Sequence, residues 1–320
     1  MQTIRWGIIG CGNVTEVKSG PGFQKATGSE LTAVMRRDAS LAEDYARRHG
    51  VPRWYSDAQQ LVDDPNVDAV YIATPPKFHN AYTLMAAKAG KPVYVEKPMA
   101  MNPAECEQMI EACSAAGVPL FVAYYRRALP RFLKVKELIE NGEIGTVRFV
   151  STTLTRKPLQ AEIWRVQPEI SGGGLFVDLA SHTLDLIDYL LGPIADVQGF
   201  ADNQGSPYAA EDMVSCSFRF ESGVHGSGSW CFTSFENSDL IEIHGSGGKI
   251  ICSTFENRPI VLINAAGEQE FSIPHPLHIQ QPLIQTIVDE LLGKGSCASH
   301  GESAARTNRA MEAVLRDYYR

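Results

Sequence analysis

The 320-residue sequence is first narrowed by what it lacks. No apolar run is long enough to cross a bilayer, which excludes a membrane-spanning helix. There is no basic excess: 29 Lys and Arg face 37 Asp and Glu, a net charge of −8. That balance argues against nucleic acid and anionic membranes as bulk partners. There is no C-x-x-C pair. The seven cysteines (Cys11, Cys106, Cys113, Cys216, Cys231, Cys252, Cys297) are odd in number and widely spaced, as expected of reduced thiols filling a core. No signal peptide precedes the first apolar strand, so a cytoplasmic location is expected. Repeats and low-complexity tracts are also missing. What remains, 44% hydrophobic and 21% charged, is ordinary for a globular protein, of a length that suggests two domains.

Up to about residue 125, short apolar runs alternate with helical patterns. Strands are expected at Ile4–Ile9, Leu31–Met35, Ala69–Ala73, Pro92–Val95 and Leu120–Ala123, and helices at Ser40–His49, His79–Ala89 and Pro103–Ala116. Nearly continuous apolar strands separated by helices imply a parallel sheet covered on both faces, a Rossmann-type doubly wound α/β domain. After a helix at Arg131–Asn141 the pattern changes. An alternating strand at Thr146–Leu154 leads to a glycine-rich loop and a helix around Leu175–Leu191. Strand-like runs then follow at Val197–Ala201, Met213–Phe220, Val224–Cys231, Asp239–His244, Gly248–Ser253 and Pro259–Asn264, with no helices between them. They predict an α+β domain with a large, mostly antiparallel open sheet. Helices at Gln281–Leu292 and Glu302–Tyr319 close the chain. The expected domains are 1–125 and 126–320, with the last helix free to pack back on the first domain.

The first strand runs into Gly7-Ile8-Ile9-Gly10-Cys11-Gly12-Asn13-Val14-Thr15. Gly10 and Gly12 allow a tight turn and a close backbone approach to a pyrophosphate, with Asn13 and Val14 opening the helix beyond it. The third fingerprint position is Thr15, not glycine. An acidic residue normally grips the adenosine ribose of NAD at the end of the second strand, but here Arg36 and Arg37 come first and Asp38 two residues late. Paired guanidinium groups suit a 2′-phosphate, so NADP is favoured over NAD; in the alternative, Asp38 is the ribose ligand.

Lys97 poses a separate problem. Val93-Tyr94-Val95 reads as a buried strand, yet Glu96-Lys97-Pro98 follows at its carboxyl end, where open α/β sheets bind ligands. The Thr74-Pro75 loop with His79, and Tyr124-Tyr125-Arg126-Arg127, end neighbouring strands. Glu96-Lys97-Pro98, the Thr74-Pro75 loop with His79, Gly10-x-Gly12 and the later Ser171-Gly172-Gly173-Gly174 loop running into Asp178-x-x-x-His182 resemble the Gfo/Idh/MocA (glucose–fructose oxidoreductase/inositol dehydrogenase) family. The resemblance extends from about residue 3 to the last helix.

The resemblance implies an NAD(P)-dependent oxidoreductase that moves hydride between nicotinamide and a hydroxyl or carbonyl of a sugar, cyclitol or related diol. Lys97, Asp178 and His182 map to the family's catalytic positions, and the Lys97–Pro98 peptide becomes a candidate for the cis form. The cofactor is expected along Gly10, Gly12, Asn13, Val14, Arg36, Arg37, Thr74, Pro75, His79, Glu96 and Lys97. Residue chemistry agrees with the roles. Asp178 and His182, four apart, share one helix face. Histidine titrates in the range of a general base. Lys97 suits developing alkoxide charge, and a cationic nicotinamide nearby favours its neutral form.

Substrate contacts are expected from Asp178, His182, Tyr125, Arg127, Trp164 and Arg165; Tyr125 is an alternative proton donor, and Trp164-Arg165 alternatively anchors the glycine loop. Asp185 either touches substrate or caps the local network. Lys18-Ser19-Gly20-Pro21-Gly22 should interrupt the first helix, leaving either a short helix or a looped entry to the site. Gly245-Ser246-Gly247-Gly248-Lys249 lacks Walker spacing and reads as a hairpin turn. His275-Pro276-Leu277-His278 has no acidic or thiol neighbour, and no metal site is expected. Family analogy implies a homodimer or homotetramer assembled through the C-terminal sheet. A non-catalytic nucleotide-binding sensor or repressor, reduction of a C=N or C=C bond, and cofactor-cycling glycoside cleavage are the competing functions.

Overall fold

The computed structural model describes residues 3–159 and 163–320. Its first sheet comprises β1 (Ile4–Ile9), β2 (Ser29–Met35), β3 (Arg53–Tyr55), β4 (Ala69–Ile72), β5 (Val93–Val95) and β6 (Leu120–Val122), all parallel, in the order β3-β2-β1-β4-β5-β6. The helices between them are α1 (Asn13–Val17), α2 (Gly20–Lys25), α3 (Ala39–His49), α4 (Ala58–Asp63), α5 (His79–Lys88) and α6 (Pro103–Ala115). Every residue of β4 and β5 is buried, as a sheet covered on both faces requires. On one face an aromatic run, Trp6 on Phe23 at 4.8 Å, Phe23 on Tyr71 at 5.1 Å and Tyr71 stacked on Tyr94 at 4.8 Å, fills the space beneath α2. The strand order reverses between β1 and β4, which makes the carboxyl edge of β1, β4 and β5 the expected ligand crevice.

The sequence reading lacked β3 and α4. β3 is a three-residue edge strand with Trp54 exposed, too short and too wet to carry an apolar signature. The shortened first helix is as expected: α1 ends at Val17, and α2 restarts at Gly20-Pro21. Gly20 is required there, because a Cβ would lie 2.2 Å from the Thr15 carbonyl oxygen.

The second sheet follows α7 (Pro130–Glu140). It consists of β7 (Val147–Thr155), β8 (Ile194–Asp202), β9 (Met213–Phe220), β10 (His225–Cys231), β11 (Ser238–Gly245), β12 (Gly248–Cys252), β13 (Ile260–Asn264) and β14 (Gly267–Phe271), ordered β14-β13-β12-β11-β7-β10-β9-β8. Only β7 and β10 pair in parallel. β11 and β12 form the expected hairpin around Gly245–Gly248. β14, Gly-Glu-Gln-Glu-Phe, is a polar edge strand that hydrophobic patterning does not reveal. Between β7 and β8 lie α8 (Pro168–Ser171), a π-helical turn at Phe176–Ala180 and α9 (Ser181–Leu191). The single helix expected around Leu175–Leu191 is thus a wide turn followed by a regular helix; such turns often mark functional sites.

By its contacts the chain divides into two compact units, each assembled from two stretches of sequence. One compact unit is the chain up to Leu129 together with Pro276–Ala305; the other is Pro130–His275 with Arg306–Arg320. The returning segment contains α10 (Gln281–Leu291), and the boundary after Ala305 falls inside α11 (Gly301–Leu315). α10 buries Leu283, Ile284, Ile287 and Val288 and lies against α2. Gly22 admits it, since a Cβ there would sit 2.8 Å from Ile284 Cδ1. Farther on, Ser299 covers the edge of β6, donating its hydroxyl to the Val122 carbonyl at 2.8 Å and accepting the Val122 N–H at 3.0 Å.

All seven cysteines are free thiols, six of them buried. Burial pushes the Cys11, Cys113 and Cys297 thiols up to about 11 and Cys216 and Cys252 to about 12, so they remain protonated and unreactive. Among the described residues no helix is long and apolar enough to cross a membrane.

Candidate active site

In the first unit the glycine turn is fitted to its surroundings. Gly10 has φ +92°, and a Cβ there would meet Thr74 Cγ2 at 2.7 Å. The N–H groups of Gly10 and Cys11 both donate to the Met35 carbonyl. Thr15, the departure from the usual fingerprint, takes over the closure of the turn. Its hydroxyl accepts the Gly12 N–H at 3.0 Å and donates to the Gly12 carbonyl at 2.8 Å, while its own carbonyl receives the Tyr45 hydroxyl. The hydroxyl of Thr74, opposite Gly10, is buried and finds no hydrogen-bond partner among the described residues. Gly10 thus packs the turn against the Thr74 loop, while Gly12, where a Cβ would have 3.8 Å of clearance, leaves open space at the start of α1 that fits a dinucleotide phosphate.

At the end of β2, Arg36 and Arg37 are exposed. Arg36 Nη1 reaches the Cys11 carbonyl at 3.5 Å, and the Arg37 guanidinium lies over the Phe78 ring at 5.2 Å. Asp38 is employed elsewhere: as the N-cap of α3, its Oδ1 accepts the N–H groups of Ser40 and Leu41 and the Ser40 hydroxyl. Those bonds, the Ser40 hydroxyl foremost, hold its carboxyl below the ordinary value. One oxygen of the carboxylate is thus committed to the helix terminus.

His79, expected beside the cofactor, is fully buried. Its Nε2 lies 2.8 Å from the Thr74 carbonyl, and its Nδ1 lies 3.0 and 3.2 Å from the carbonyls of Pro98 and Met99. It therefore links the Thr74-Pro75 loop to the Glu96-Lys97-Pro98 loop from beneath. Burial lowers its pKa, against the pull of those carbonyls and of Glu96. The Lys97–Pro98 peptide is cis. Tyr125 opens a 3₁₀ turn (Tyr125–Ala128), with the Arg126 guanidinium 5.0 Å from its ring centre. Burial raises the Tyr125 pKa, but the charges of Arg126, Lys18 and Lys97 outweigh it and leave the phenol more acidic than usual. Arg127 is buried and donates Nη1–H to the Ala298 carbonyl, which engages one arm of its guanidinium in holding the returning segment.

In the second unit Asp178 lies in the π turn, and Arg165 Nε approaches its Oδ2 at 3.2 Å. Arg165 in turn stacks on Trp164 at 4.4 Å. His182, in the first turn of α9, is 4% exposed, and Asp185 is fully buried. The glycine loop before the π turn is tied down by a residue that the sequence did not single out. The Glu211 carboxylate accepts the Gly174 N–H at 2.8 and 2.9 Å and the Tyr319 hydroxyl. Gly174 must lack a side chain, because a Cβ would lie 2.8 Å from the Glu211 carbonyl oxygen.

A second structure missed in the sequence is the loop after β12. Asp239 accepts the N–H groups of Thr254, Phe255 and Glu256, Arg131 donates to the carbonyls of Glu256 and Arg258, and the hydroxyls of Thr254 and Thr183 lie 3.0 Å apart. The loop places the Phe255 ring 5.9 Å from that of His182, nearly perpendicular, with the Arg156 guanidinium 5.8 Å from Phe255. The only trace in the sequence was a run of Ser, Thr, Asn and charged residues between two strands.

Residues 4–124 match the family model described as an oxidoreductase family with an NAD-binding Rossmann fold, and residues 132–251 match the GFO/IDH/MocA C-terminal domain. Oxidoreductase P35 of Formosa agariphila is 40% identical over 317 residues, covering 97% of each chain. The chain belongs to the Gfo/Idh/MocA family of oxidoreductases. The 1,5-anhydro-D-fructose reductase of Ensifer adhaerens is 29% identical over 93% of this chain and 91% of its own. Among solved structures, an aldose–aldose oxidoreductase from Caulobacter crescentus complexed with glycerol superposes with a TM-score of 0.89 at 25% identity, covering 99% of this chain and 98% of that one. The Rossmann sheet and the mostly antiparallel second sheet are therefore the family's two-part architecture, and the chain is an oxidoreductase built on a nicotinamide-nucleotide fold.

Proposed function

We propose that this protein is an NADP-preferring dehydrogenase or reductase acting on a CH–OH or carbonyl group of a sugar, cyclitol or related diol. The observation that carries the proposal is the meeting of the glycine turn, Thr74 and the Glu96-Lys97-Pro98 loop at the switch point of the parallel sheet. Relatives named as sugar oxidoreductases supply the substrate class. Bound nicotinamide would accept or donate the hydride. The chain's own part is proton handling: His182 removes the hydroxyl proton, Lys97 steadies charge on the same oxygen, and Asp178, held by Arg165, orients substrate. Arg165, paired with that carboxylate and stacked on Trp164, serves with Trp164 as a substrate contact.

NADP is favoured because Arg36 and Arg37 stand exposed at the strand end, while Asp38 lends one oxygen to the cap of α3. A cytoplasmic protein suits seven free thiols. Self-association through the second sheet is supported by exposed Phe149, stacked on His244 at 4.2 Å, and by exposed Phe200. The deciding experiment follows NADPH and NADH absorbance with a panel of sugars, cyclitols and ketones. Turnover of at least one polyhydroxylated substrate is expected. Tight cofactor binding with no turnover across the panel would instead identify a nucleotide sensor.

A further inference from the structure

Glu96 is 7% exposed, and its hydrogen-bond donors among the described residues are all neutral. Tyr71, on β4, donates its hydroxyl to Oε1 at 2.5 Å, and Gln280, just ahead of α10, donates Nε2–H to the same oxygen at 2.7 Å. Oε2 accepts the backbone N–H of Lys97 at 3.2 Å. A second layer stiffens the first. Tyr94 donates its hydroxyl to Gln280 Oε1 at 3.2 Å and stacks on Tyr71 with the rings 27° from parallel. Tyr71 and Tyr94 are fully buried and Gln280 is 1% exposed.

Folding alone gives no reason for this arrangement. A buried carboxylate pays a desolvation cost, and apolar side chains of similar volume commonly replace such groups without loss of stability. What the carboxylate does achieve is local: it holds the main chain of Lys97 from one side while His79 holds the carbonyls of Pro98 and Met99 from another. The two oxygens have different duties, one facing inward to Tyr71 and Gln280 and the other facing the Lys97 amide.

We propose that Tyr71 and Gln280 are positioning residues for Lys97. By anchoring Glu96 through Oε1, they keep Oε2 on the Lys97 amide and prevent the carboxylate from turning onto the Lys97 ammonium. The proposal rests on the assignment of Lys97 to the chemistry, and it adds two residues outside the family motifs, one from the segment that returns to the nucleotide unit late in the chain.

The test compares Tyr71→Phe, Gln280→Leu and the isosteric Gln280→Glu. In the first two, kcat should fall about tenfold, the effect expected from losing a hydrogen bond to a charged group, while cofactor Kd and substrate KM stay within about threefold. Amide hydrogen exchange across Val93–Ala100 should rise in both, a readout that needs no substrate. Gln280→Glu sets two carboxylates against each other, so they share a proton more readily as pH falls. Its activity relative to wild type should therefore recover on the acid side, and that of Gln280→Leu should not. Unchanged kcat and exchange in both Tyr71→Phe and Gln280→Leu, or a lowered Tm with no acid recovery in Gln280→Glu, overturns the positioning role. A wild-type enzyme that turns over nothing counts against the assignment of Lys97, while hydrogen exchange still decides whether the anchor holds its backbone.

Discussion

Gly10, Thr74 and Lys97 stand at the ends of three adjacent strands of one parallel sheet, tied together mainly through backbone atoms: Gly10 against Thr74, and His79 between the Thr74 and Pro98 carbonyls. Asp178 and His182 stand on a π turn and the helix after it, fastened by side chains distant in sequence. Glu211 and Tyr319 hold the preceding loop, and Asp239 and Arg131 hold the one carrying Phe255. A site held by backbone geometry leaves short, local signatures such as glycines and X-Pro pairs. A site held by long-range side chains shows its own motif, here Asp178-x-x-x-His182, but not the residues that hold it in place.

The two halves also divide the proposed chemistry, and removing one group from each gives the largest effect. Lys97→Ala and His182→Ala should each lower kcat at least ~100-fold, the scale of lost acid–base assistance. Cofactor affinity, measured by fluorescence titration, should persist in both. Near-normal turnover in either variant would remove that residue from the mechanism. A loss of cofactor binding in Lys97→Ala would make it a nucleotide ligand first.

The contrast explains what could be read from the sequence. The parallel sheet, the cofactor turn and the Lys97 loop were all visible because each depends on neighbours a few residues apart. At His79 locality gave the loop but not the setting. It belongs to the right loop, but only the fold shows both ring nitrogens turned toward carbonyls and the ring excluded from the surface. For Asp38 the sequence offered a ribose ligand as the alternative; only the fold shows that its Oδ1 also caps α3. Glu211, Phe255 and Gln280 could not be found by spacing. The contact that gives each its meaning lies between 37 and 184 residues away, or on a loop without periodicity. Even the triple glycine, legible as a motif, acquired its reason only from Glu211, whose carbonyl oxygen leaves no room for a Cβ at Gly174.

A smaller effect is expected from the exposed end of β2. Replacing Arg36 with Asp and Arg37 with Ser should shift the ratio of NADP to NAD affinity at least ~10-fold toward NAD, since a hydrogen bond to a charged phosphate contributes about 1.5–3 kcal/mol. The measurement is the pair of dissociation constants at fixed salt. An unchanged ratio would show that these guanidinium groups only brace the turn through the Cys11 carbonyl and the Phe78 ring.

The smallest effect concerns the second unit and is read in stability. Burial raises the Glu211 pKa above the ordinary glutamate value, although the Tyr319 hydroxyl and the Gly174 amide oppose it. A carboxyl group that holds its proton more tightly when folded binds more protons in the native state than in the unfolded one. Its contribution to stability is therefore greatest in acid and is lost as pH rises from the ordinary glutamate range through the raised value. Glu211→Gln keeps an acceptor for the Gly174 N–H but cannot ionise. Thermal melts of the variant and wild type should diverge by a few degrees in the variant's favour as pH is raised through that range, and converge below it. A difference in Tm that stays constant with pH would mean that Glu211 is as ionised in the unfolded chain as in the fold, and that its clasp on the glycine loop carries no electrostatic cost.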